Sequence, residues 1–283
     1  MNSRSLSLRV KTTACFFPFD LFGSSGAKAG AELLADAFRE MLVDNRREKL
    51  PTRANAYAGQ VKIHEFEFGK LEHYENWRER ARQKIHRVLA GNELLLWVTG
   101  NHLGALPVYE ELGDEDQDTL VLQFDAHLDI YNLADCSSEL SHGNFLLHST
   151  TKLPRIINIG NREVLLPGNY VKQFYTATYS ATELAGSLER TLRDIRKATA
   201  RTKRILIDID CDVFDPAYFP AVAHPLPFGI SPQTLLQFLT AVWSDRVVGV
   251  CISEFDPARD RNDQSLSTLI WLLETLLLMR YEK

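Results

Sequence analysis

The sequence predicts an α/β protein whose mostly parallel sheet is covered on both faces by helices. Apolar, β-branched-rich runs of buried-strand length alternate along the chain with longer segments of helical periodicity. Alternation of that kind favours parallel strands joined by helical crossovers. Four of the runs also end in histidine or acid, which marks the edge where open α/β sheets gather their ligands.

Leu6–Phe17 (LSLRVKTTACFF) reads as the first strand. Pro18–Gly30 is a turn-rich loop containing Gly23, Gly26 and Gly30; it carries neither G-x-G-x-x-G nor G-K-[ST], so no phosphate cradle is expected. Ala31–Val43 has helical periodicity, and Val61–Phe68 alternates as a strand. Leu71–Leu89 places apolar residues at helical spacing behind a charged, solvated face. Glu93–Thr99 is a buried strand ending in Gly100-Asn101-His102, and Ala105–Leu112 opens a helix with Pro107 in its first turn. Thr119–Phe124 and Arg155–Ile159 are strands, Thr182–Ala200 is an amphipathic helix, and Lys203–Ile209 is a strand running into Asp210 and Asp212. Pro232–Trp243 is helical, Arg246–Ser253 is a strand ending at Glu254, and Ser265–Met279 is an apolar helix.

With 283 residues, 45% of them hydrophobic, and no linker, repeat or low-complexity tract, one domain over residues 1–283 is expected. A net charge of −5 without a basic block argues against nucleic-acid binding. The opening MNSRSLSLRVKTTACFFPFD lacks an apolar signal core and a cleavage site, and no apolar run approaches the ~20 residues of a membrane span. Cys15, Cys136, Cys211 and Cys251 are scattered without C-x-x-C spacing, which suits a reduced, cytoplasmic protein and argues against a thiolate zinc site.

The stretch Thr119–Asp129 (TLVLQFDAHLD) organises the rest. Asp125, His127 and Asp129 stand at alternate positions, and extended backbone would project them to one side. His102, Asp210, Asp212 and Glu254 follow other strands. Independent structural turns would not place histidine or acid at every such end. Four aspartates and two imidazoles without a thiolate favour a borderline-hard divalent ion such as Mn²⁺. Six ligand-type side chains exceed the needs of one open site and suit two ions sharing bridging carboxylates.

TGNH at 99–102, DAHLD at 125–129, SHGN at 141–144, DIDCDVFDP at 208–216 and EFDP at 254–257 resemble the ureohydrolases, the arginase and agmatinase family. The resemblance implies a three-layer α/β/α fold and two Mn²⁺ ions. His102, Asp125, Asp129 and Asp210 would hold one; Asp125, His127, Asp210 and Asp212 would hold the other, with Asp125 and Asp210 bridging. It further implies attack of hydroxide on a guanidinium carbon, giving urea and an amine. His142 matches the family's proton-shuttling histidine, Glu254 matches the acid that pairs with the substrate guanidinium, and Asp215 stands as a supporting residue. Symmetric homo-oligomers, commonly trimers or hexamers, are a family habit.

Departures from the pattern bear on the substrate. Asn101 and Leu103 replace Asp and Ser beside His102, and Asp208 stands where Ser or Thr is usual: an extra acid near the site, or a strand residue turned away from it. Val222-Ala223-His224-Pro225 replaces T-G-T-P, leaving His224 to line the pocket or face solvent. Between Asp129 and His142, Tyr131, Ser138 and Leu140 occupy the positions that hold an amino acid's carboxylate and amine in arginases, with Asp135 and Glu139 nearby. Leucine offers a carboxylate no hydrogen bond, and the acids repel it. Free arginine is therefore disfavoured. Arginine within a precursor peptide, giving ornithine, is expected first, with Ser138, Glu139 and His224 as substrate contacts. Agmatine or a guanidino acid is the alternative, and a catalytically silent metal-binding relative a further one.

Overall fold

A computed structural model describes residues 11–23, 25–115, 118–134 and 136–282. Along the chain the elements are β1 (Thr12–Phe17), α1 (Ala27–Arg47), β2 (Val61–Glu65), α2 (Leu71–Glu75), α3 (Trp77–Ala90), β3 (Leu94–Thr99), α4 (Leu106–Glu115) and β4 (Thr119–Phe124). They continue with β5 (Arg155–Asn161), α5 (Gly168–Val171), β6 (Ala177–Ser180), α6 (Ala181–Ala200), β7 (Arg204–Asp210), α7 (Pro232–Val242), β8 (Val247–Ser253) and α8 (Gln264–Tyr281). The part of the expected first strand before Lys11 lies outside the described residues.

The eight strands form one sheet in the order β2-β1-β3-β8-β7-β4-β5-β6, and every pair is parallel. Side-chain alternation divides the core between its two faces. Ala14, Phe16, Leu94, Leu96 and Val98 pack with apolar residues of α1, α6, α7 and α8. Cys15, Phe17, Leu95 and Trp97 pack with Trp77, Ala81 and Ile85 of α3 and with Leu106 and Tyr109 of α4. The three-layer α/β/α architecture follows from that division.

Two expectations need correction. The single helix over Leu71–Leu89 is broken at Asn76, whose φ of −102° and ψ of 18° separate α2 from α3. Asparagine competes for its own backbone and favours such a break. The sheet also has an unforeseen edge strand, β6, whose four half-buried residues are too few to show a period. Ser180 at its end caps α6, accepting from Glu183 N while the Glu183 carboxylate accepts from Ser180 N.

α1 lies hard against the segment that follows β8. A Cβ on Gly30 would collide with the Phe255 carbonyl, so only glycine admits this approach, one residue beyond Glu254. Cys15, Cys136, Cys211 and Cys251 form no disulfide with one another. Among the described residues, no helix is long and apolar enough to cross a membrane.

Candidate metal centre and catalytic cavity

The strands that end in polar residues, β3, β8, β7 and β4, are consecutive neighbours at the middle of the sheet. Because all run parallel, His102, Glu254, the Asp210–Asp212 pair and the Asp125–Asp129 segment emerge side by side at one edge.

Asp125–Asp129 is not extended, contrary to the expectation from alternate spacing. It bends immediately after β4, and Asp129 adopts a left-handed φ of 49°. Neighbouring groups hold the bend: Asn158 Nδ2 donates to His127 O at 2.9 Å, the Tyr175 hydroxyl to Leu128 O, and Arg162 N to Ala126 O. After β7, Asp210 Oδ1 accepts from Asp212 N at 2.9 Å and caps a 3₁₀ turn. Asp212 then meets the β4 segment, accepting from Ala126 N at 3.1 Å and lying 2.7 Å from His127 Nδ1. His102 opens a 3₁₀ turn after β3. Glu254 follows β8 with a left-handed φ of 64°, its N donating to Gly100 O and its Oε1 accepting from His102 N at 2.9 Å. Strained backbone at Asp129 and Glu254, both acids of the cluster, fits a site whose surroundings dictate its geometry.

Two groups of side chains could each hold a metal ion: His102, Asp125 and Asp129, and Asp125, His127 and Asp212. Asp125 belongs to both. His102 Nδ1 lies 2.8 Å from Asp129 Oδ2, 3.3 Å from Asp125 Oδ2 and 3.2 Å from Asp210 Oδ2. Yet His102 Nδ1, Asp125 Oδ2 and Asp129 Oδ2 are buried without a hydrogen-bond partner. Buried polar atoms normally find one. These atoms crowd together without bonding each other, as donors to a shared cation do. The residues present therefore fit a divalent metal pair.

Above them is a cavity of about 190 Å³. Its floor and walls include His102, His127, Asp129, Asp210, Asp212 and Glu254, with Tyr131, His142, Val222, Ala223 and His224 around them. His142 Nδ1 stands 3.2 Å from Glu254 Oε1, and its ring lies 5.9 Å from that of His224.

The Arginase family model matches residues 14–279. The chain belongs to the arginase family. That is a family of hydrolases acting on guanidino C–N bonds, and the chain is a ureohydrolase. It is 24% identical over 272 residues to an agmatinase of Neisseria meningitidis serogroup A, covering 94% of this chain and 86% of the relative. Its fold matches the arginase of Bacillus subtilis with a TM-score of 0.78 at 19% identity, over 94% of this chain and 98% of that one. It matches the formimidoylglutamase of Bacillus subtilis with a TM-score of 0.77 at 18% identity, over 98% and 89%.

Within this arginase-family site the charges are strongly biased before any ion enters. Burial, reinforced by Asp129, pushes the Asp125 carboxyl up to about 7, and burial with Asp212 lifts Asp210 well above the carboxylate range. Burial pulls the other way on His127, but Asp212 overrides it and raises the imidazole to about 10. Asp212 in turn is held at about 2 against burial by His127. His142 is lifted above its ordinary value, again against burial, by Glu254. Protons thus sit where cations would.

The structure brings His102, Asp125, His127, Asp129, His142, Asp210, Asp212, Glu254 and His224 to one place. It does not bring Ser138 and Glu139 there. Both are exposed; their loop is held by Asn144 Nδ2 donating to Ser137 O and Glu139 O, and their side chains do not line the cavity. Asp135 lies outside the described residues.

Two residues carry more than the sequence revealed. Asp208 shares a sheet face with Asp210, as strand alternation allows, and contacts His102 Nε2. Arg162 runs its guanidinium beneath the cluster, donating to the carbonyls of Gly160, Asp212, Val213 and Leu226. An arginine after a strand gives no sequence signal that it turns inward.

Proposed function

We propose that this ureohydrolase uses two divalent ions, Mn²⁺ by the chemistry of the donors, to hydrolyse a guanidinium group that bears no free carboxylate. His102, Asp125, Asp129 and Asp210 would hold one ion, and Asp125, His127, Asp210 and Asp212 the other. The membership of Asp125 in both clusters supports a shared ligand. When bound, such a pair supplies hydroxide at neutral pH.

The chain's own groups provide the rest. Glu254 opens its carboxylate to the cavity from a buried position and pairs with the planar guanidinium, fixing the carbon that reacts. His142, charged more readily than a free imidazole because of Glu254, delivers a proton to the departing amine nitrogen. Water and R–NH–C(NH₂)₂⁺ become urea and R–NH₃⁺.

One observation carries the choice of substrate. Among the described residues that line the cavity there is no lysine, arginine, serine, threonine, asparagine or glutamine. No lysine, arginine or side-chain amide there pairs with an α-carboxylate, and the carboxylates present repel one. A cationic guanidino amine such as agmatine suits these carboxylates, and the relatives named agmatinases, matched over 86% of their length, support it. Those relatives move agmatine ahead of peptidyl arginine, the reading favoured by the sequence.

Peptidyl arginine is retained as a second reading for a specific reason. Phe22, whose carbonyl accepts from His142 N, and Phe228, four residues after His224, are 55% and 82% exposed. Val164 and Leu165 are exposed on a loop tied to Tyr131 through Glu163. Exposed apolar side chains on segments joined to cavity residues suit contact with residues flanking an arginine. Four cysteines outside any disulfide suit the reducing cytoplasm in either case.

Urea release from the Mn²⁺-loaded protein on arginine, agmatine, guanidinobutyrate and an arginine-containing peptide tests the proposal. Agmatine turnover is expected; urea from the peptide alone selects the second reading, and efficient turnover of free arginine overturns the carboxylate inference. Urea from none, with two ions bound, transfers the chemistry to another C–N bond such as a formimino group.

A further inference from the structure

The two ring nitrogens of His102 face different partners. Nδ1 looks toward Asp125, Asp129 and Asp210. Nε2 looks away from the cavity and lies 2.8 Å from Asp208 Oδ2. That same oxygen accepts from the Tyr109 hydroxyl at 2.6 Å. Asp208 and Tyr109 are wholly buried, and Asp208 Oδ1 has no partner. On the flanking strands Asp208 is level with Gln123 and Cys251, so the sheet supplies it with no countercharge. A carboxylate is costly to bury in such surroundings.

An imidazole offers a metal ion one lone pair. To bind through Nδ1, its remaining proton must be on Nε2, and that proton needs an acceptor. We propose that Asp208, held in place by the Tyr109 hydroxyl, is a positioning residue that selects the tautomer and orientation in which His102 holds a metal ion through Nδ1. The ring is kept from turning by an edge contact with Phe145, centroids 5.0 Å apart, and its backbone is fixed by Glu254. Asp208 decides which nitrogen carries the proton. Tyr109 decides which carboxylate oxygen faces the ring. This rests on the two-ion reading of the site, and it assigns Asp208 to one ion only, because the imidazole that Asp208 meets is His102, while His127 stands against Asp212.

The test is Mn²⁺ binding, followed by the electron paramagnetic resonance signal of the free ion, to the full-length protein and its Asp208→Ala, Asp208→Asn and Tyr109→Phe variants. Melting temperatures of the metal-free forms report folding. The wild type should bind two ions. Asp208→Ala should weaken one of them about 10- to 100-fold, the usual effect of losing an acceptor behind a ligating histidine, and leave the other within a few fold. Asp208→Asn should recover part of the loss, because an amide oxygen still accepts a proton. Tyr109→Phe should weaken the same ion by less than Asp208→Ala. A merely structural residue would lower melting temperature without separating the two ions. Unchanged isotherms in the variants, or equal weakening of both ions, overturns the assignment while leaving the metal centre intact. If Asp208→Ala does not fold, unchanged binding by Asp208→Asn and Tyr109→Phe has the same force. A wild type that binds no ion overturns the metal centre, and this inference with it.

Discussion

His142 and Glu254 meet at 3.2 Å across the cavity, although 112 positions separate them in the chain. Glu254 raises the imidazole above its ordinary value. That pairing contributes stability which is fully present below pH ~6.5, the value of a free imidazole, and is lost as pH rises through the raised value. A proton donor of this kind loses activity over the same rise. In Glu254→Gln the alkaline decline of kcat/KM should move to lower pH, and KM for the guanidinium substrate should increase. An unmoved decline separates His142 from proton delivery.

His142→Ala should lower kcat by roughly 10²- to 10⁴-fold, the range for loss of a positioned acid–base group. Elemental analysis should find its metal content unchanged. Loss of an ion would instead place His142 among the ligands.

Asp125→Ala removes the carboxylate shared by both clusters and should abolish turnover and reduce bound metal. Asp210→Ala should do the same if its carboxylate bridges. Wild-type-like activity in either variant contradicts the two-ion arrangement.

Ion binding should release protons. His127 is raised to about 10 and Asp125 to about 7, so near neutral pH the metal-free site holds protons that an ion must displace. Metal affinity should therefore rise with pH, and calorimetry in buffers of different ionisation enthalpy counts the protons. The metal-free protein should lose stability as pH rises from about 4 through about 7, the window in which Asp125 is forced to ionise later than it would unfolded. Added Mn²⁺ should reverse that loss.

Gly30→Ala should destabilise the protein by about 1–3 kcal/mol, because its Cβ meets the Phe255 carbonyl beside Glu254. Denaturant unfolding measures the cost. A neutral result would mean that α1 can shift without disturbing the site.

The sequence by itself determined the layering and the set of polar residues that gather at the cavity. Strand lengths, helical periods and the polar residues after β3, β4, β7 and β8 are local properties, written where the chain is read. The Asp125, His127 and Asp129 spacing was legible, but not its geometry: convergence comes from a bend held by Asn158, Tyr175 and Arg162, which approach from distant segments. Only tertiary structure decided that the four functional strands are adjacent, since sheet order is set by crossovers and not by composition. It likewise decided that Asp208 faces His102, that Arg162 lies beneath the cluster, and that Ser138 and Glu139 remain at the surface. Each of these depends on which groups are buried together. Burial is where a polar side chain must find a partner, and the partner is chosen by the fold.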